Sequence, residues 1–361
     1  MNKLNLCIIF GGKSAEHEVS LQSAYNIVAA ADREKYNLTL IAMNKEGKFY
    51  LCDSLDFLEN SDNPKNIKIK NTDNEIAFIP GERGNSIYSL RDNKVVDPID
   101  VIFPIIHGPF GEDGSLQGLL KLIGVPFVGA GVVGSAVGMD KDIMKRLLRD
   151  NDIEIADFII YRDIVEADYS IAKEKLGIPM FIKPANLGSS VGISKVSNKD
   201  EFFNGLKKAF KFDGKVIVEE FIDGREIECA VKGNLKAEAT FPGEILPTDD
   251  FYSYEAKYIN ETGAILKIPA ELDNKIADDI KEIAKETYKL LETRGLARID
   301  FFVTKDRVLV NEINTLPGFT KISMYPKLWK NEGVKYPDLI DELIALAIEE
   351  FKNNDKLLST I

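Results

Sequence analysis

Apolar positions open the chain in a near-unbroken run, Leu4-Asn5-Leu6-Cys7-Ile8-Ile9-Phe10, which stops at Gly11-Gly12. That is the pattern of a strand buried on both faces and followed by a tight turn. The stretch Ser20 to Ala31 then predicts a helix, and strand, glycine turn and helix in this order open a parallel α/β domain. Leu38 to Met43 and Val101 to Ile106 predict further strands, the second ending at His107-Gly108. Between them, residues 53 to 98 are polar and irregular. They predict an insertion with short hairpin strands such as Glu75 to Ile79 and no chemistry of its own.

Beyond Gly138 the pattern predicts a helix from Lys141 to Asp150, a strand Phe158 to Tyr161 and a helix from Ile171 to Leu176. The strands Met180 to Lys183 and Val191 to Val196 flank a glycine-serine loop, and Val216 to Val218 is another strand. The last third alternates strands (Ile227 to Val231, Ala297 to Val303, Val308 to Asn311) with helices at Asn274 to Glu292 and Pro337 to Phe351. One stretch, Leu122 to Met139, carries no charge for 18 residues, which touches the length of a membrane span. Pro126 and five glycines within it (124, 129, 131, 134 and 138) predict a strand and a glycine-rich turn instead.

Composition narrows the partners. The 361 residues are 45% hydrophobic and 29% charged, enough for two or three domains. A net charge of −12 is a poor match for nucleic acid or an anionic membrane, so small ligands are expected and any anion must be held by local cations. Three scattered cysteines and two histidines argue against a disulfide framework, a structural zinc site or a histidine-rich metal site. The N-terminus lacks a signal-peptide pattern, so a cytoplasmic location is expected.

Several motifs compete for the chemistry. Gly129-Ala130-Gly131-Val132-Val133-Gly134 spells a dinucleotide fingerprint and would suit an NAD(P)-dependent oxidoreductase. The acidic partner expected about 20 residues further on would be Glu154, which precedes a strand rather than ending one. A tight turn with close backbone packing fits better. Gly11-Gly12-Lys13-Ser14 resembles the tail of a P-loop, but Cys7 stands where the first glycine is needed. Lys183 ends a strand beside Asn186-Leu187-Gly188-Ser189-Ser190-Val191-Gly192, where an ammonium and loop N–H groups could clamp phosphate; an ordinary hairpin with a surface lysine fits equally. Val216 to Ile222 runs from apolar residues into Glu219 and Glu220, with Glu226 downstream. It suits a nucleotide pocket or, more simply, a strand ending in solvated glutamates. Arg298-Ile299-Asp300 and Glu312-Ile313-Asn314 put hard oxygens on neighbouring strands, with alternation aligning each pair on one face. Magnesium is favoured there over a cross-strand ion pair.

Taken together, these segments resemble ATP-grasp enzymes and, within them, the D-alanine–D-alanine ligase family. The resemblance is carried in order by Phe10 to Ser20, His107-Gly108-Pro109-Phe110-Gly111-Glu112-Asp113-Gly114, Met139-Asp140-Lys141, Lys183-Pro184, Gly188 to Gly192, Tyr254-Glu255-Ala256-Lys257-Tyr258, Arg298 to Asp300 and Asn311 to Gly318. Nearly the whole chain is covered. The resemblance implies an α/β fold of three domains: a Rossmann-like pre-ATP-grasp domain at residues 1–138, a central subdomain with the phosphate lid at 139–215, and a C-terminal subdomain at 216–361.

The resemblance also implies the roles. Lys141 and Lys183, with Ser190 of the lid, would hold ATP phosphates, and Lys257 would reach the transferred one. Glu219, Glu220, Phe221 and Ile222 would frame the adenine, and Glu226 would take the ribose. Glu220 stands where relatives often carry a basic residue, but its expected contact is through the backbone. Asp300, Glu312 and Asn314 would bind Mg2+ or Mn2+, two ions in all. Glu16 would take the ammonium of the first D-alanine, with His107 near its carboxylate, and Ser323 would receive the carboxylate of the second. Arg298 and the Gly318 N–H would stabilise the tetrahedral oxyanion. Tyr258 would tie the loop Phe251 to Tyr258 to Ser189 and Glu16. A homodimer is expected from the family. The nearest alternative is a depsipeptide ligase joining D-alanine to D-lactate, which the Lys257-Tyr258 pair disfavours. A non-catalytic amino-acid-binding protein would leave Asp300, Glu312 and Asn314 unexplained.

Overall fold

The computed structural model describes residues 3–61, 63, 65–247 and 264–357. The opening run forms the strand Leu4–Gly11, paired in parallel with Tyr36–Met43 on one side and Val101–Ile105 on the other; Phe49–Leu51 adds an antiparallel edge. Its alternation serves two cores. Leu6, Ile8 and Phe10 pack with the helices His17–Ala30 and Tyr336–Asp355, while Cys7 and Ile9 pack with Ser115–Ile123. Both faces are covered, which is why the run is apolar throughout. The insertion forms a two-stranded and a three-stranded antiparallel sheet, the latter holding Ile76–Phe78.

A second sheet has the order Phe158–Tyr161, Val216–Glu220, Met180–Pro184, Ser194–Val196, all antiparallel. The strand Val216–Glu220 thus sits inside this sheet, so the unit runs past the boundary expected after residue 215. Its alternate residues Val216 and Val218 are fully buried among Met180, Ile182 and Phe202. The strand expected from Val191 begins only at Ser194. Ser189, Ser190 and Gly192 have φ of 54°, 60° and 75°, a left-handed path that leaves the sheet.

The third sheet is six-stranded and antiparallel. Arg225–Gly233 lies beside Gly295–Val303, which lies beside Val308–Asn314. The helices Asn274–Leu290 and Lys141–Asp150 share a core with it. Its connection after Asn314 is pinned to the first sheet by Phe319, fully buried, whose ring lies 5.6 Å from that of Phe103. Burial of one such side chain stabilises the docking by ~2 kcal/mol.

The uncharged stretch differs from expectation. The expected strand shrinks to a single bridge between Ile102 and Phe127, and Val132–Met139 is helical with Gly131 at its N-cap. A Cβ on Gly134 would lie 2.6 Å from the Glu292 carbonyl, and one on Gly138 would lie 2.7 Å from Thr315 Cγ2. Gly134, the last glycine of the fingerprint, and Gly138 thus serve close packing, in line with the packing reading favoured over a dinucleotide site. No helix among the described residues is long and apolar enough to cross a membrane.

Candidate active site

Asp140 caps the helix Lys141–Asp150 by accepting from the N–H groups of Asp142 and Ile143 at 3.1 and 3.2 Å. That fixes Lys141 in the first turn. Its Nζ donates to Leu187 O at 2.9 Å, at the start of the glycine-serine loop, and lies 3.3 Å from Glu312 Oε2. Lys183, at the end of its strand, forms an ion pair with Glu219 Oε2. Burial works against the Lys183 charge, but Glu219 and Glu312 outweigh it and raise its pKa. On Glu219 burial alone would push the carboxyl up; Lys145 and Lys183 overcome that and bring it down to about 2. Glu226, two strands away from Glu312, is close enough to Lys183 for its charge to contribute. Lys141, Lys183, Glu219, Glu226 and Glu312 are therefore one electrostatic cluster.

Glu220 pairs with Asp157 through both side chain and backbone: its Oε1 accepts from Asp157 N at 2.9 Å and its N donates to Asp157 O at 3.0 Å. The Phe221 ring is 6.0 Å from that of Phe181 and carries the Lys195 ammonium 4.2 Å from its centroid. Ile222 follows at the strand's exit, half-buried.

On the third sheet, register places Arg298 opposite Asn314 and Asp300 opposite Glu312, and a bulge follows Asp300. Arg298 grips Asp300 with two bonds of 2.7 Å and has Glu228 Oε2 at 2.9 Å. Among the described residues no group of three or more His, Cys, Asp and Glu side chains is arranged to hold a metal. The expected set is instead two facing carboxylates and an amide, whose charge is met here by Arg298 and Lys141. Hard oxygens that need extra donors from a phosphate fit magnesium.

Glu16 stands at the N-cap of the helix His17–Ala30 without capping it. Its Oε1 accepts from Ser189 Oγ at 2.5 Å, joining the first sheet's unit to the lid loop. Gly108 allows this approach, since a Cβ there would lie 2.8 Å from Glu16 Oε2. His107, expected beside a substrate carboxylate, has both ring nitrogens engaged. Nδ1 donates to Leu316 O at 3.0 Å and Nε2 meets Ser23 Oγ at 3.3 Å, while Phe319 N donates to the same Ser23 Oγ at 3.1 Å. The ring braces the 316–319 segment against the first sheet. There Gly318 lies against Ser323, so close that a Cβ would be 2.8 Å from Ser323 Oγ, and Thr320 N donates to that oxygen at 2.9 Å. Lys257, Tyr258 and the rest of the loop Phe251 to Tyr258 lie outside the described residues.

Three site residues escaped the sequence. Glu112, quoted only within a motif, is buried, accepts from Gly108 N at 2.6 Å and feels both Glu16 and Arg298. Burial, then the Glu16 charge, pushes its carboxyl up to about 8. Lys145 is fully buried with Nζ 2.8 Å from Glu219 Oε1, and Glu228 lies opposite Asp300. Glu112 lies beside Asp113 in a glycine-rich motif, Lys145 beside Arg146 in a charged helix, and Glu228 runs into Cys229-Ala230-Val231, so only Glu228 stood out as a charge against an apolar pattern.

A lysine-rich corner on an antiparallel sheet, facing paired carboxylates on a second sheet across a glycine-serine loop, defines the ATP-grasp class, and solved structures of that fold match the chain. The D-alanine–D-alanine ligase from Coxiella burnetii superposes with a TM-score of 0.86 at 38% identity, covering 99% of this chain and 97% of that one. The VanG D-Ala:D-Ser ligase of Enterococcus faecalis gives 0.83 at 32% identity, covering 96% and 100%. Models of the D-ala D-ala ligase N-terminus and C-terminus match residues 5–130 and 147–345. The D-alanine--D-alanine ligase of Oceanobacillus iheyensis is 54% identical over 99% of both chains, and D-alanine--D-alanine ligase A of Escherichia coli K12 is 48% identical over 100% of both. The chain belongs to the D-alanine–D-alanine ligase family.

Proposed function

We propose that this chain joins two D-alanine molecules into D-alanyl-D-alanine for peptidoglycan precursors, consuming ATP. The observation that carries the proposal is the convergence of the units built on the first, second and third sheets on one site. Glu16 of the first meets Ser189 of the second at 2.5 Å, and Lys141 meets Glu312 of the third at 3.3 Å.

In this reaction a carboxylate oxygen of the first D-alanine attacks the γ-phosphorus of ATP, ADP leaves, and an acyl phosphate forms. The amine of the second D-alanine then attacks the acyl carbon, loses a proton and expels phosphate, leaving the peptide bond. Lys141 and Lys183, with Ser190, neutralise the phosphates, the part of such a transfer that a protein can supply. Backbone at Glu220 and Phe221, with Glu219 and Ile222, frames the adenine, and Glu226 takes the ribose. Asp300, Glu312 and Asn314 would hold two magnesium or manganese ions, which would supply Lewis-acid stabilisation of the phosphate charge. Glu16 binds the ammonium of the first substrate. Ser323 receives the carboxylate of the second, and Arg298 with Gly318 N–H faces the developing oxyanion. Lys257 and Tyr258 complete the closed site, and His107 acts as a brace. The working protein is a cytoplasmic homodimer of three-domain chains, with the second boundary after Glu220.

The test is phosphate release from ATP in the presence of D-alanine, L-alanine or D-lactate. D-alanine alone should support rapid release; equal release with L-alanine would overturn the assignment.

A further inference from the structure

Lys145 is the one lysine of the phosphate corner to which no phosphate contact falls. It lies one helical turn after Lys141, its side chain fully buried beside Met144 and Leu148 of an apolar core. Its Nζ is 2.8 Å from Glu219 Oε1, while the other oxygen of that carboxylate takes Lys183. A buried lysine is costly unless a charge meets it, so one carboxylate shared between two ammonium groups calls for a reason.

Charge counting supplies one. Glu312 and Glu226 act on Lys183 from further off, and Lys141 lies against Glu312; of the groups in direct contact, Glu219 and Lys183 alone form a neutral pair, which offers an incoming phosphate little attraction. Lys145 makes the trio Lys145, Glu219, Lys183 carry a net charge of +1. We infer that Lys145 is a positioning residue that neutralises Glu219 from behind, so that the Lys183 charge remains available to phosphate. This rests on the nucleotide site proposed above. It predicts that Lys145 affects the phosphates of the nucleotide more than the nucleoside part, which Glu219 also frames.

The experiment measures dissociation constants of MgATP and of adenosine by isothermal titration and reports their ratio. Three proteins are compared: the unaltered chain, Lys145→Met, and the double variant Lys145→Met with Glu219→Gln. Met keeps the aliphatic bulk, and the double variant removes both buried charges and so restores +1 on Lys183. Lys145→Met should lower the adenosine-to-ATP ratio ~tenfold, the scale of a lost charge-assisted contact. The double variant should recover most of it. An unchanged ratio in Lys145→Met, equal weakening of both ligands, or no recovery in the double variant would each overturn the inference while leaving the nucleotide site standing. If the unaltered chain binds MgATP no better than adenosine, the nucleotide site and the inference fall together.

Discussion

Glu312 faces Asp300 across the strand pair and touches Lys141, so it stands where the proposed phosphate and metal sites would meet. Glu312→Gln keeps the shape and removes one hard anionic donor. Turnover should fall by ~100-fold or more, with melting temperature nearly unchanged, as measured by phosphate release and thermal unfolding. Glu112 makes a different forecast. Its carboxyl is raised from the ordinary range to about 8, so the folded chain holds a proton there that the unfolded chain has lost. Stability from this group is therefore full below the ordinary carboxylate range and is lost as pH rises towards about 8. Glu112→Gln should flatten that part of the stability–pH curve, read by denaturant unfolding at stepped pH. The motif residues were legible because their spacing repeats a known chemistry. Glu112, Lys145 and Glu228 were not, because the sequence does not tell which charge of a neighbouring set, such as Glu112 and Asp113 or Lys145 and Arg146, points to solvent and which into a site.

At the level of elements, the strands and the helix Lys141–Asp150 were readable from the pattern of apolar and polar positions, while the Asp140 cap was not read. What failed were places where tertiary packing overrides local preference. Gly131, Gly134 and Gly138 read as a turn because glycine is a poor helix former. Gly131 instead caps the helix Val132–Met139, and Gly134 and Gly138 lie inside it, where the Glu292 carbonyl and Thr315 leave no space for a side chain. The middle sheet's claim on Val216–Glu220 was hidden for a related reason: strand pairing joins residues distant in sequence. The Gly134 contact is checkable. Gly134→Ala puts a methyl 2.6 Å from a backbone oxygen. It should cost ~1–3 kcal/mol of stability, seen as a lower melting temperature, despite alanine's better helix propensity. In the lid, Gly192 has φ 75° and Pro184 Cγ 2.8 Å from where a Cβ would be. Gly192→Val should therefore raise KM for ATP with little change in the D-alanine requirement, measured by steady-state kinetics.

For the whole molecule, the sheets act as three supports for one reaction. The bonds that tie them, Ser189 to Glu16 and His107 to Leu316, are also bonds that shape the site. Substrate choice belongs to this scale, because the second nucleophile must reach the acyl phosphate inside a site assembled from all three. An amine attacks only when neutral, so dipeptide formation should increase from about pH 6 to 9. The most direct measurement is product analysis after incubation with MgATP, D-alanine and competing D-lactate across that range. The account requires D-alanyl-D-alanine as the dominant product, with one ADP and one phosphate formed per dipeptide. Dominant D-alanyl-D-lactate, or ATP consumption that does not depend on D-alanine, would contradict it.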